Sequence, residues 1–209
     1  FWGYRNYDCE DASTNIVPWG ILIGGEELHN NHHTYATSAK LSNKWYEFDI
    51  GWMYICVLSY LGMAKVKKVP PKPVLSAVRP ADDQTLEAVI ANRYEIMARY
   101  SKTLQRCIAN EFQNMQEFAN HLKDARDWLY KDEVKLTSDE KQKLEELMKT
   151  NPQLRKMIEM RRELHAIWGR SNATREQLLG QLRSWCHRAE EAGPNSLKEF
   201  SLRLRRYSN

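Results

Sequence analysis

Over the carboxyl-terminal two-thirds of the chain, apolar residues return at helical spacing. Leu86, Ile90, Tyr94, Met97 and Leu104 fall near a 3.6-residue repeat, the mark of an amphipathic helix. The pattern runs on to about Val134, long for one globular helix, so a break between Asn110 and Asn120 is expected. Thr137-Ser-Asp-Glu140 has the form of a capping box and predicts a short helix with Leu144 and Leu147 on one face. Pro152 opens the next helix, along which Leu154, Ile158, Leu164, Ile167 and Trp168 align before Gly169 stops it. A second capping box, Thr174-Arg-Glu-Gln177, leads Leu178, Leu182 and Trp185 to a stop at Gly193-Pro194. A last helix is predicted from about Ser196 through Phe200 and Leu204 to Tyr207. None of these helices is apolar all round, so each needs a partner face. Antiparallel packing of two to four of them satisfies that need, and the expected class is mainly α, with an all-α tail.

The amino-terminal pattern is less regular. Cys9 to Asn15 is polar and loop-like, Pro18 precedes a short apolar run from Trp19 to Ile23, and Gly24-Gly25 breaks before a segment starting at Glu26. From Phe48 to Ala64 the chain is strongly apolar but interrupted by Asp49, Gly51 and Gly62. That length suits a buried helix or one lying in a membrane interface, not a span. Between the two patterns stands Val69-Pro-Pro-Lys-Pro73, whose prolines bar a helix and favour a stiff extended connector. The expected domains are therefore 1–73 and 74–209.

Composition sharpens this division. Residues 1–73 hold 12 of the 22 aromatics, with seven basic and seven acidic residues, so the whole net charge of +4 sits in the remaining 24 basic and 20 acidic residues. Such a balance is too mild for a nucleic-acid coat and argues against wholesale disorder. The four cysteines (Cys9, Cys56, Cys107 and Cys186) lie far apart without a CxxC, which excludes a zinc ribbon and predicts reduced, mostly packing thiols of a cytosol-facing protein. The chain opens at Phe1 within an aromatic cluster, without an initiator Met or signal peptide, and is expected to be the carboxyl-terminal piece of something longer.

Glu26-Glu27-Leu28-His29-Asn30-Asn31-His32-His33 carries the chemistry. Three of the six histidines fall within five residues. On a helix, positions i, i+3 and i+4 share a face, so His29, His32 and His33 can converge on one point or two neighbouring points. Neutral imidazole suits Fe, Zn, Cu and Ni. Glu26 and Glu27, one turn earlier, are placed to orient an imidazole by accepting its distal N–H. A protease-type zinc site is disfavoured, because Asn30 stands where HExxH needs its glutamate. The remaining histidines, His121, His165 and His187, are scattered and expected at the surface. The basic end, Arg203 with Arg205-Arg206, reads as a solvated helix face complementing the helix dipole.

Gly24-Gly-Glu-Glu-Leu-His29-Asn-Asn-His32-His33 resembles the third histidine box of the integral-membrane acyl-CoA desaturases of the delta-9 type. The resemblance extends to Trp2-Gly-Tyr4-Arg5-Asn-Tyr7, to Asn15-Ile-Val-Pro-Trp19, and to Ala39 through Trp45 and Asp49 through Trp52, covering about residues 1–73. Residues 74–209 resemble the helical tail that some bacterial members carry and, by composition, the end of certain insertion-sequence transposases.

The desaturase resemblance implies a cytosolic cap on a four-helix membrane domain in the bacterial inner membrane. It also implies a di-iron centre that uses O2, and electrons from a redox partner protein, to place a cis double bond in an acyl-CoA or acyl-lipid chain. His29, His32 and His33 would then be iron ligands, while Asn30 and Asn31 occupy the spacers. The family's two earlier histidine boxes, its membrane helices and a further ligand before Trp2 are missing. Three imidazoles do not complete a two-iron site, so the piece alone is expected to be inactive. The reading from another class is a helical interaction or nucleic-acid-binding module. Such a module calls for a basic stripe, and the tail instead interleaves acids with bases, as in Lys141-Gln-Lys-Leu-Glu-Glu146 and Arg188-Ala-Glu-Glu191. Nucleic acid is therefore not an expected partner.

Overall fold

The structure, a computed structural model, describes residues 2–9, 11–72, 74–112, 136–169 and 172–208. The fold is mainly α, and the chain divides into two compact units, Phe1–Lys72 and Pro73–Asn209.

The second unit is built on helices α3 (Asp83–Ala91), α4 (Arg93–Phe112), α5 (Ser138–Thr150), α6 (Pro152–Gly169), α7 (Arg175–Ala192) and α8 (Asn195–Leu204). Thr137 and Thr174 each form the full capping box predicted, with Glu140 and Gln177 reaching back. Gly193 ends α7 where a Cβ would stand 2.5 Å from the Ala189 carbonyl oxygen. The stripe predicted from Leu86 to Leu104 is not one helix, because Asn92 separates α3 from α4 and its amide caps the Ala88 carbonyl at 2.8 Å. The buried positions accordingly shift to Leu86, Val89, Ile96, Tyr100 and Leu104, leaving Ile90, Tyr94 and Met97 half-buried. Helix α4 continues through Asn110 to Phe112. The rest of the stretch expected to hold a break, with His121 and Val134, lies outside the described residues.

Two apolar clusters hold this unit. The larger joins α3, α4, α6, α7 and α8 around Trp185, Tyr100 and Phe200, whose rings lie 5.1 to 6.3 Å apart. Burying Trp185 and Tyr100 leaves no donor stranded: the indole N–H donates to the Met160 carbonyl and the Tyr100 hydroxyl to that of Met157, both at 2.7 Å. The smaller cluster packs Leu104 against Leu136, Leu144, Met148, Leu154, Met157 and Ile158, closing the α5–α6 pair. The cysteines are free thiols, and burial pushes Cys186 up to about 11. Cys56 is an exception to the packing role, being exposed.

The carboxyl end departs from expectation. Helix α8 stops at Leu204, and Tyr207–Ser208 (β4) pairs antiparallel with Val74–Leu75 (β3). Tyr207 is buried, and its backbone finds strand partners far back in the sequence, which no local pattern announces. Nor are the terminal arginines simply solvated. Arg205 bonds both oxygens of Glu190, at 3.0 and 2.9 Å, and the Arg79 carbonyl; Arg206 Nε donates to the Ser76 carbonyl.

The first unit has little regular structure: β1 (Trp19–Gly20) lies parallel to β2 (Phe48–Asp49), a 3-10 turn spans Glu26–Leu28, and α1 (His29–Thr34) and α2 (Ile50–Tyr60) are its helices. Asp49 caps α2 through Trp52 N–H at 2.8 Å, and its other oxygen takes the N–H groups of Leu41 and Ser42. Of the two alternatives for Phe48–Ala64, a buried helix or one lying in a membrane interface, the buried one is not met within this unit. Helix α2 buries no side chain, and Tyr54, Val57, Leu58 and Tyr60 stand exposed. No helix among the described residues is long and apolar enough to cross a membrane.

Two expectations follow for the helical unit. Trp185→Ala should lower its stability by about 3–5 kcal/mol, through lost burial and an emptied core site, read as a fall in the thermal midpoint. The second concerns Asp82, which caps α3. The Thr85 N–H, opposed by burial and aided by the Thr85 hydroxyl and Arg79, holds its carboxyl below the usual carboxylate range. The stabilisation this brings is present above about pH 4 and is lost as pH falls through the depressed value. Denaturant unfolding at several pH values should show the wild type ahead of Asp82→Asn at neutral pH, with the difference shrinking in acid.

Candidate metal centre

The histidine segment is set by the turn before it. Gly24 and Gly25 both take positive φ, 74° and 106°, a backbone that glycine alone enters cheaply. Glu27 closes this turn from within: its carboxylate accepts the N–H groups of Leu22 at 2.5 Å, Ile23 at 3.1 Å and Gly25 at 3.2 Å. Burial raises its pKa, but these backbone donors outweigh burial and hold the carboxyl low. Glu27 is thus a turn anchor and does not touch an imidazole, contrary to the sequence expectation; Glu26 does. The side chain of Glu26 reaches His29 Nδ1 at 3.4 Å and His32 Nδ1 at 3.5 Å.

Helix α1 is six residues long and has two unlike faces. One carries His29, His32 and His33, with ring centroids 4.3 Å apart for His29–His33, 5.9 Å for His32–His33 and 6.1 Å for His29–His32. The other carries Asn30, Asn31 and Thr34, all buried. The i, i+3, i+4 geometry accounts for both sets. Asn30 Oδ1 accepts the N–H groups of Asn6 and Tyr7, and its Nδ2 donates to the Tyr7 carbonyl and to Cys9 Sγ. Asn31 donates to the Leu41 carbonyl and to Glu47 Oε2, and accepts from the amides of Asn6 and Asn15.

Asp11 completes the histidine face, with Oδ2 2.6 Å from His33 Nδ1. Burial pushes the Asp11 carboxyl up. The hydroxyl and N–H of Ser13, Cys9 Sγ and His33 together pull it well below the usual carboxylate range. Each imidazole therefore has a carboxylate beside its Nδ1, the arrangement that orients ligating histidines and leaves Nε2 as the donor for a metal. His32 Nδ1 is enclosed yet makes no hydrogen bond of good geometry, its carboxylate standing 3.5 Å away. In chemistry the donor set fits a metal that favours imidazole. Among the described residues no group of three or more His, Cys, Asp or Glu side chains already meets in coordinating geometry. Of the other histidines, His187 is exposed beside Glu191, and His165 lies edge-on to Trp168.

Sequence reading missed Asp11, because 22 residues without periodic relation separate it from His33. It also missed the role of Asn30 and Asn31. Polar residues read as exposed, and only the helical phase placed them opposite the histidines.

A predominantly helical unit and a polar, histidine-bearing unit thus share one chain, and two sets of known proteins resemble parts of it. The transposase family model of the ISL3 DDE type matches residues 80–209, and the chain belongs to that family. The transposase likeness is thus more than the compositional similarity read from the sequence.

A second set of relatives consists of fatty acid desaturases. The sn-2 palmitoyl-lipid 9-desaturase of Nostoc sp. (strain 36) is 44% identical over 72 residues, which is 34% of this chain and 25% of that protein. The sn-1 stearoyl-lipid 9-desaturase of Anabaena variabilis is 43% identical over 34% of this chain and 26% of its own length. The Delta-9 desaturase-like 1 protein of Arabidopsis thaliana is 41% identical over 33% and 23%. The chain spans about a quarter of the length of the curated relatives it matches. No solved structure matches it significantly.

Asn30→Ala should destabilise the first unit by about 1–3 kcal/mol, since the half-buried N–H of Asn6 and the buried N–H of Tyr7 would both lose their amide acceptor. Denaturant unfolding followed by tryptophan fluorescence reads it, and a neutral result would remove Asn30 from the framework of α1.

Proposed function

We propose that the first unit is the histidine-bearing part of a fatty acid desaturase, with His29, His32 and His33 as iron ligands, joined to a transposase-related helical unit. One observation carries this reading: three imidazoles share one face of α1, each with its Nδ1 beside Glu26 or Asp11. The family model accounts for residues 80–209, so the desaturase-like stretch, about a third of the chain, is assigned to the unit that carries these histidines.

Within the reading, each part of the chain has a task. Glu26 and Asp11 hydrogen-bond the Nδ1 atoms of His29 and His33, which leaves their Nε2 atoms free to ligate, and Glu26 also stands beside His32. The apolar surface of α2, with Trp19 and the Ile21–Ile23 run equally exposed, suits contact with an apolar membrane domain or acyl substrate. Iron, when bound, would supply the redox chemistry by which O2 and a reducing partner protein desaturate an acyl-CoA or acyl-lipid chain. Three histidines fill part of two coordination spheres, so the remaining ligands belong to the complete membrane protein.

A second reading follows from the family match itself: the helical unit as a nucleic-acid-binding or protein-interaction module. The charges do not favour a nucleic-acid face, because Arg175 is engaged by Asp83 and Glu87, Arg188 by Glu163, and Arg205 by Glu190. Steep loss of DNA binding with rising salt would favour it nonetheless.

The test of the first reading is made in the complete protein in its membrane. His29→Ala, His32→Ala or His33→Ala should each abolish unsaturated product and reduce iron content while the protein still reaches the membrane. Full activity in any two of the three variants would exclude these residues as ligands.

A further inference from the structure

Helix α1, six residues long, has fewer than two turns, too few to hold a direction of its own. Its histidine face is aimed by whatever grips the opposite face: Asn6, Tyr7 and Cys9 hold Asn30, and Asn31 is held by Asn6, Asn15, the Leu41 carbonyl and one carboxylate, that of Glu47. Glu47 is buried and takes five hydrogen bonds. Oε1 accepts from the Tyr4 hydroxyl at 2.8 Å and Asn6 Nδ2 at 2.5 Å; Oε2 accepts from Asn31 Nδ2 at 2.8 Å and from the N–H groups of Asn43 at 2.7 Å and Lys44 at 2.9 Å. These donors come from three separate stretches of chain: the amino-terminal segment, α1, and the loop that leads into β2. A buried carboxylate costs solvation that only a full set of donors repays. Here the set includes Asn31, which lies between His29 and His32 in sequence and faces away from both.

We propose that Glu47 is the positioning residue of the histidine face, setting the rotation of α1 through Asn31 without touching an imidazole or a metal. A turn of one residue about the α1 axis is about 100°, enough to carry the imidazoles away from Glu26 and Asp11. A neutral side chain at position 47 cannot reproduce the grip. Whichever way it is placed, a glutamine amide presents its N–H₂ group to at least one donor that cannot accept: Asn6 Nδ2 at the Oε1 place, where the Tyr4 hydroxyl can turn to accept, or the backbone N–H groups of Asn43 and Lys44 at the Oε2 place. The consequence for metal binding rests on the ligand assignment above; the consequence for the rings does not.

The test uses the 209-residue chain, its Glu47→Gln and Glu47→Ala variants, and Co(II) as the probe. In the metal-free wild type the ring of His33, whose Nδ1 lies 2.6 Å from Asp11 Oδ2 outside the helix, should give a nuclear Overhauser contact to the Asp11 β-protons, which both variants should lose. In the same titration Co(II) affinity should fall about tenfold or more, and at equal occupancy the visible d–d spectrum should change, a signature that loss of stability alone would not produce. Far-ultraviolet circular dichroism reports whether a variant folds, and if Glu47→Ala does not, Glu47→Gln decides. Retention in Glu47→Gln of the His33–Asp11 contact, or of the wild-type Co(II) affinity and spectrum, overturns the proposal. Failure of the wild type to bind Co(II) at all counts instead against the ligand assignment, and the His33–Asp11 contact then decides the role of Glu47.

Discussion

The first unit depends on buried hydrogen bonds to carboxylates and amides in the way the second depends on apolar contact. Glu47, Asp49 and Glu27 each sit in the interior and gather backbone N–H groups from loops that no helix or sheet would satisfy. Backbone donors taken from water must be paired, and a carboxylate with two oxygens can pair several at once with charge-assisted strength. A chain with two-residue strands and a six-residue helix thereby acquires defined geometry around its histidines.

The same unit turns its apolar side chains outward. Trp19, Leu22, Tyr54, Leu58, Tyr60 and Met63 are exposed while Asn15, Asn30 and Asn31 are fully or almost fully buried. That inversion is costly in water, and an apolar surface of this extent is the usual sign of a contact surface. It accords with a segment whose natural neighbours are apolar. The helical unit follows the ordinary order, with Trp185, Tyr100 and Tyr207 inside and paired charges such as Arg188–Glu163 outside.

These two regimes explain what could be read from residues alone. Helix starts at Thr137 and Thr174 and the stop at Gly193 are local events, governed by a side chain three residues away or by a single Cβ, and so they are visible in sequence. The split at Asn92 was not, because an asparagine amide that caps a carbonyl looks like any polar residue in an amphipathic repeat. The β3–β4 pair was hidden for a different reason, joining residues more than 130 positions apart.

In the candidate site, sequence by itself determined that His29, His32 and His33 share a face, since 3.6 residues per turn permits nothing else once the segment is helical. It also put three imidazoles there as candidate donors. Tertiary structure decided which carboxylates attend those rings: Asp11 and Glu26 do, and Glu27 does not. It decided, too, that Asn30, Asn31 and Glu47 form the opposite wall. The physical reason is range. Helical phase is a property of four consecutive residues, whereas the pairing of a buried donor with its acceptor is settled only when distant loops are brought together and each polar group must find a partner or lose its water for nothing.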